Sequence, residues 1–228
     1  MSYEPLRRRV PKWLDRYLWF FENAIEDAVL GLAGSLPAGA RVLDAGAGEG
    51  KYKHLFGSAR YTGLDLAVGD QQWDYAGLDV LGDLTRLPFG DGTFDACLSV
   101  VTLEHVREPA AVVAEMGRTL KRGGRLLLVV PQDWEVHQAP HDYFRYTRYG
   151  VRHLLEQGGF SEIVVESGGG YFRLMGRRML NGLQFFKGVA MVPGALLLLP
   201  GGLLFPLLDG LDRERNFTLG YLCTAIKR

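Results

Sequence analysis

The sequence predicts an α/β protein built on a doubly wound, largely parallel sheet. Three observations carry that prediction. After residue 40, short continuous apolar runs alternate with helical stretches, the pattern of strands covered on both faces. The first of these runs leads straight into a glycine-rich turn, Gly46-Ala47-Gly48-Glu49-Gly50. The chain has 228 residues, 47% of them apolar and 23% charged, which suits one sizeable core.

Taken in order, residues 11 to 32 read as one amphipathic helix. Leu14, Tyr17, Leu18, Phe21, Ile25, Ala28, Val29 and Leu32 recur at three and four on one face. Pro37-Ala38-Gly39 ends it. Arg41-Val42-Leu43-Asp44-Ala45 is a buried strand, and the glycine turn after it is expected to open a helix. Tyr61 to Asp65 is a second strand ending on an acid, and Leu78 to Leu81 a short third. Phe94 to Val101 is a fourth and Arg125 to Val130 a fifth. Between those two, Pro109 to Leu120 is helical and closes on Lys121-Arg122-Gly123-Gly124, cations followed by glycine. A helix from Arg148 to Gln157 follows Thr147 as cap, then a sixth strand, Phe160 to Ser167, and a seventh, Thr218 to Lys227. The chain is expected to be one domain, with a helical cap over 1–39, a ligand-binding core over 40–167, an apolar insertion over 168–217 and a last strand over 218–228.

Composition excludes several functions. Lys plus Arg and Asp plus Glu each number 26, so no general nucleic-acid footprint is present. Two cysteines, Cys97 and Cys223, cannot make a disulfide scaffold or a Cys-based zinc site, and both lie in strand-like runs as buried thiols. The basic run Arg7 to Arg9 leads into Pro11 and further charges rather than an apolar stretch, so a secretory signal is not expected and a cytoplasmic location is.

The glycine turn points to a bound nucleotide-like ligand. Glycines at 46 and 48 let a ligand approach the backbone. A dinucleotide fingerprint needs its third glycine at the position of Lys51, whereas here it falls at Gly50, which disfavours an NAD-binding oxidoreductase. Asp65, with Leu66 beside it, ends the second strand, where a carboxylate accepts both hydroxyls of a ribose. Asp83-Leu84 follows the third strand, an acid beside an apolar residue, which suits an adenine.

Together with Leu87-Pro88-Phe89, Phe94-Asp95, Leu103-Glu104-His105-Val106 and Gly159-Phe160, these motifs resemble the class I S-adenosylmethionine (SAM)-dependent methyltransferases, particularly the type 11 group of small-molecule and lipid enzymes. The resemblance covers residues 40 to about 167. It implies a Rossmann-like seven-stranded sheet with an antiparallel last strand. By resemblance, Asp44, Gly46, Gly48 and Gly50 hold the methionine part of SAM, Asp65 and Leu66 the ribose, and Asp83 with Leu84 the adenine. The acceptor is then a small or lipid-like molecule. Its chemistry needs alignment more than acid–base help, although a hydroxyl acceptor gains from a base. Candidates are His141 as base, Tyr143 as a positioning group, and His105. The ubiquinone-pathway enzymes that resemble this segment have an acidic metal ligand where this chain has Val101, so no metal is expected. The alternative for His141 is a loop merely tied by Asp142 and Arg145. A SAM-binding partner protein without transferase activity is the non-enzymatic alternative.

Gly188 to Leu208 carries no charge, but Pro193, Pro200 and Pro206 with neighbouring glycines are expected to divide it into three short apolar pieces. Preceded by Arg173, Arg177, Arg178 and Lys187, it suits a surface that touches a membrane. A buried hairpin or a contact with another protein is the competing expectation.

Overall fold

A computed structural model describes Arg7 and residues 9–69 and 73–228. In chain order its elements are α1 (Lys12–Leu18), α2 (Phe20–Gly34), β1 (Arg41–Ala45), β2 (Arg60–Asp65), β3 (Val80–Leu81), β4 (Phe94–Val100), α3 (Pro109–Thr119), β5 (Leu120–Pro131), α4 (Arg148–Gln157), β6 (Phe160–Ser167), α5 (Tyr171–Gly182), α6 (Met191–Leu204) and β7 (Gly220–Lys227). They form two compact units. One comprises Ile25–Glu166 with Gly220–Arg228, the other Met1–Ala24 with Ser167–Leu219.

The first unit is the sheet. Its strand order is β3-β2-β1-β4-β5-β7-β6. β1 pairs in parallel with β2 and β4, β2 with β3, and β4 with β5, while β7 runs antiparallel to β5. The expected seven-stranded mixed sheet is therefore present. Leu43, Cys97, Leu126 and Leu128 are buried in its core, with Val112, Val113 and Met116 of α3 and Val151 and Leu155 of α4. Truncating one of these, Leu43→Ala for example, costs about 2–5 kcal/mol. Cys97 and Cys223 are buried free thiols, and burial pushes the Cys223 thiol up to about 12. Both edges are blunted: β3 has two residues, and β6 alternates between more and less buried positions. Because β1, β2, β4 and β5 are parallel, their C-terminal ends share one edge, where ligands bind in such sheets.

Several boundaries differ from the sequence reading. The N-terminal helix breaks at Trp19, whose backbone leaves the helical region; the Asn23 amide holds the break by donating to the carbonyls of Asp15 and Trp19. No α-helix follows the glycine turn, only a short 3-10 turn, Lys53–Phe56. β3 shrinks because Tyr75–Gly77 forms a 3-10 turn capped by the Asp74 carboxylate. Lys121–Gly124 does not close α3 but belongs to β5, where the pairing with β4 jumps from Leu120 to Arg125 and Gly123 turns at φ 75°. β4 stops at Val100 because Val101 takes φ 53°, a left-handed turn that redirects the chain. β7 begins at Gly220 rather than Thr218.

In the second unit the apolar segment is a helical run rather than three pieces. Gly188–Ala190, α6 and Phe205–Leu211 form one continuous helical stretch of 24 residues. Pro193 lies in the first turn of α6 and Pro206 near the start of a 3-10 turn, where their missing N–H groups cost little. Pro200 lies inside α6 and is accommodated. The glycines serve packing: a Cβ at Gly201 or Gly202 would collide with Met179 or Leu180 of α5, and one at Gly176 with Pro206. Asp209, buried, and Asp212 accept backbone N–H bonds from Gly170, Arg173 and Tyr171 and so cap the start of α5. Arg177, also buried, donates to Glu22 at 2.6 Å and to the Leu18 carbonyl.

Candidate cofactor and acceptor site

The sheet unit brings the predicted cofactor residues to one edge. β1 delivers Asp44, which is buried, and then the glycine turn with φ 90° at Gly46, 54° at Gly48 and 73° at Gly50. These left-handed angles are what a glycine permits and other residues resist. A Cβ on Gly46 would lie 2.2 Å from the Thr102 methyl group, so the post-β4 turn packs directly on this backbone. Thr102 also donates its hydroxyl to the Gly46 carbonyl.

Asp65 ends β2 beside this turn. One carboxylate oxygen accepts the Gly48 N–H at 2.9 Å and the other the Ala67 N–H at 2.8 Å. Each oxygen keeps a second lone pair, enough for a vicinal diol. Leu66 is 49% exposed. Asp83 accepts from the Thr85 N–H and hydroxyl through one oxygen, leaving the other for a donor such as an adenine amino group. Leu84 is buried in the apolar core. The residues thus fit a nucleoside with a charged tail.

Two residues at this edge escape a reading by motif. Tyr61, at the far end of β2 from Asp65, donates its hydroxyl to Asp44 at 2.6 Å. Period-two alternation puts Tyr61, Gly63 and Asp65 on one face, which was the available signal. Burial raises the Asp44 carboxyl to about 7; the Tyr61 hydrogen bond opposes this and the Asp65 charge adds to it. Trp73 lies under the glycine turn, its ring 3.2 Å from where a Gly48 Cβ would sit.

The loops after β4 and β5 hold the acceptor candidates and are tied together. The Glu104 carbonyl accepts the N–H groups of Tyr143 and Phe144, and the Leu103 carbonyl accepts the Tyr146 hydroxyl. His141 and Tyr143 are brought together, Nδ1 to hydroxyl at 3.0 Å, and Arg107 donates to the same hydroxyl at 3.2 Å. The tie between Asp142 and Arg145 is present too, with two bonds of 2.6 and 2.8 Å, and Arg145 holds the Asp142 carboxyl well below the usual carboxylate range. His105 joins this pair through the backbone, its Nδ1 facing the His141 carbonyl at 2.5 Å. Its Nε2 meets His137, a member of the same loop to which the sequence assigned no role, beside Glu104, which is fully buried.

A seven-stranded sheet with an antiparallel last strand, a glycine turn after β1 and an acid ending β2 define the Rossmann-like class I methyltransferases, the class that uses SAM. Residues 43–128, within the sheet unit, match the family model described as a methyltransferase domain. Residues of the chain are 34% identical over 137 positions to a demethylmenaquinone methyltransferase from Renibacterium salmoninarum, covering 55% of this chain and 54% of that protein. They are 32% identical over 112 positions to a malonyl-[acyl-carrier protein] O-methyltransferase from Serratia marcescens, covering 46% and 44%. The chain spans about half the length of the curated relatives it matches. A solved Burkholderia thailandensis 1,6-didemethyltoxoflavin-N1-methyltransferase with bound S-adenosylhomocysteine superposes with TM-score 0.54 at 18% identity, over 97% of this chain and 87% of that one, which shows the shared fold. The NAD-binding alternative finds no support in these matches.

Proposed function

We propose that the chain transfers a methyl group from SAM to a small or lipid-like acceptor. The observation that carries this reading is the Asp65 carboxylate, held against the Gly48 backbone with lone pairs left for a ribose. When bound, SAM supplies an activated methyl on a sulfonium. Asp44 binds the ammonium end, Asp65 the ribose and Asp83 the adenine amino group. Displacement at the sulfonium needs the acceptor aligned and water excluded, and the tied loops after β4 and β5 supply that positioning. The Tyr143–His141 pair orients the acceptor and receives its proton where the acceptor is a hydroxyl.

Titration calorimetry with SAM, followed by turnover of methyl-labelled SAM with extracted small molecules and lipids, tests the reading. Binding with label transfer to a soluble or lipid fraction supports it. Binding without transfer supports the inactive partner protein, and no binding removes both. His141→Ala is expected to lower kcat by roughly 10²–10⁴-fold with SAM affinity unchanged.

The lipid-like part of the proposal rests on the helical stretch Gly188–Leu211, of which 11% of its most apolar window is buried. Val189, Leu196, Leu197 and Leu207 are exposed along it. The chain leaves β6 and returns to β7 in the same sheet, so both ends of this segment stay on one side. With both ends on one side, this uniformly apolar helix dips into one leaflet rather than crossing it, its exposed apolar area giving the affinity, with Arg178 and Lys187 near anionic headgroups. The protein is then cytoplasmic and peripherally membrane-bound. Co-sedimentation with anionic liposomes tests this, with Leu197→Asp/Leu204→Asp as control; a wild-type protein that stays in the supernatant at low salt refutes it.

A further inference from the structure

Glu104, His105 and His137 converge their side chains within the sheet unit. Glu104 is fully buried, and neither of its carboxylate oxygens has a hydrogen-bond partner among the described residues. Its Oε1 lies 3.7 Å from His105 Nε2 and 3.6 Å from His137 Nε2, and the two Nε2 atoms are 3.1 Å apart. The other nitrogen of each ring fixes the tautomer. His105 Nδ1 faces the His141 carbonyl at 2.5 Å, and His137 Nδ1 faces the Glu135 carbonyl at 3.0 Å. A carbonyl only accepts, so each Nδ1 carries the hydrogen, and each ring in its neutral form presents an Nε2 lone pair.

Three acceptors therefore point at one another with no donor between them. A single shared proton relieves one contact, whereas a divalent cation satisfies all three. The separations match a metal: bonds of about 2.1 Å to nitrogen and oxygen give tetrahedral ligand edges of about 3.4 Å. The Nδ1–H to carbonyl bonds are the outer contacts that orient metal-bound imidazoles. Two imidazoles and one carboxylate favour zinc-class ions over magnesium or calcium.

We propose that Glu104, His105 and His137 bind a zinc-class divalent ion, which keeps its fourth position for water or for an oxygen of a ligand. The expectation of no metal, which rested on Val101, missed this because the third ligand comes from the loop after β5. If the methyl-transfer reading holds, on which this point rests, the ion makes an oxygen-bearing acceptor the matching class.

The test uses tag-free, full-length protein. After chelator treatment and dialysis, Zn²⁺ titration and elemental analysis are expected to give one ion per chain, and Co²⁺ is expected to give the visible absorption of a tetrahedral site. His137→Ala, on a surface loop, and His105→Ala are each expected to weaken Zn²⁺ binding by about 100-fold or more, given that outer contacts alone are worth 10–100-fold. Circular dichroism and a parallel SAM titration accompany each variant, so that failure of the metal site and failure of the cofactor reading are separable. If a variant does not fold, the Co²⁺ spectrum of wild-type protein decides. A wild-type protein that binds no Zn²⁺ at micromolar concentration, a Co²⁺ spectrum without tetrahedral bands, or folded variants that bind as tightly as wild type overturn the proposal.

Discussion

Asp44 offers a sharp test of the cofactor edge, because its environment ties binding to pH. Burial raises its carboxyl from 3.8 to about 7, with the Tyr61 hydrogen bond pulling the other way. An ammonium ligand prefers the ionised form. The apparent affinity for SAM should then scale with the ionised fraction, roughly one in ten at pH 6 and three in four at pH 7.5. Affinity is expected to rise about eightfold across that interval from Asp44 alone. The stability effect has the opposite sign. Between pH 3.8 and 7 the folded state keeps a proton that the unfolded chain releases. Stability therefore falls as pH rises through that window, by up to about 4 kcal/mol at 1.36 kcal/mol per unit, and stays lower above it. Asp44→Asn keeps an acceptor for Tyr61 and removes the titration. It should gain stability over wild type at pH 8 but not near pH 4, and its SAM affinity should not change between pH 6 and 7.5. Calorimetric titrations at fixed ionic strength and thermal melts at both ends measure this. A flat wild-type binding profile, or an equal slope in the Asn variant, refutes the assignment of Asp44 to the ammonium.

Other perturbations act through single contacts. Asp65→Ala removes the proposed ribose acceptor and the anchor for Gly48, and SAM binding by calorimetry should weaken by about 1.5–3 kcal/mol; unchanged affinity in a folded variant takes Asp65 out of the site. Gly46→Ala places a methyl group against Thr102 at a φ of 90°, and the left-handed backbone alone should cost about 1–3 kcal/mol in a denaturant melt; a neutral outcome means the turn relaxes freely. Arg177→Met in the helical unit strands the Glu22 carboxylate in a largely buried position and should cost about 3 kcal/mol, whereas Arg177→Met with Glu22→Leu should recover much of it. Equal losses in the single and double variants would show that the pair itself matters little.

The sheet was legible because its signal is local. Continuous apolar runs such as Leu126–Val130 can only be buried strands, and Gly46 and Gly48 announce a backbone conformation that other residues avoid. The paired acid and glycines at the ends of β1 and β2 were legible for the same reason, since strand and turn fix where Asp44 and Asp65 emerge. Pro200 and Gly201 misled because propensity describes an isolated helix. Whether such residues break a helix or let α5 approach α6 depends on Met179 and Leu180, more than twenty residues away in the chain. Likewise, nothing near Glu104 in the sequence says that its carboxylate faces two imidazoles. That meeting depends on the Glu104 carbonyl holding Tyr143 and Phe144, which draws the loop carrying His137 across the edge of the sheet. Residue type and period thus determined the strands and the glycine turn by themselves, while contacts between loops distant in sequence, which carry no local periodicity, were decided only by tertiary packing.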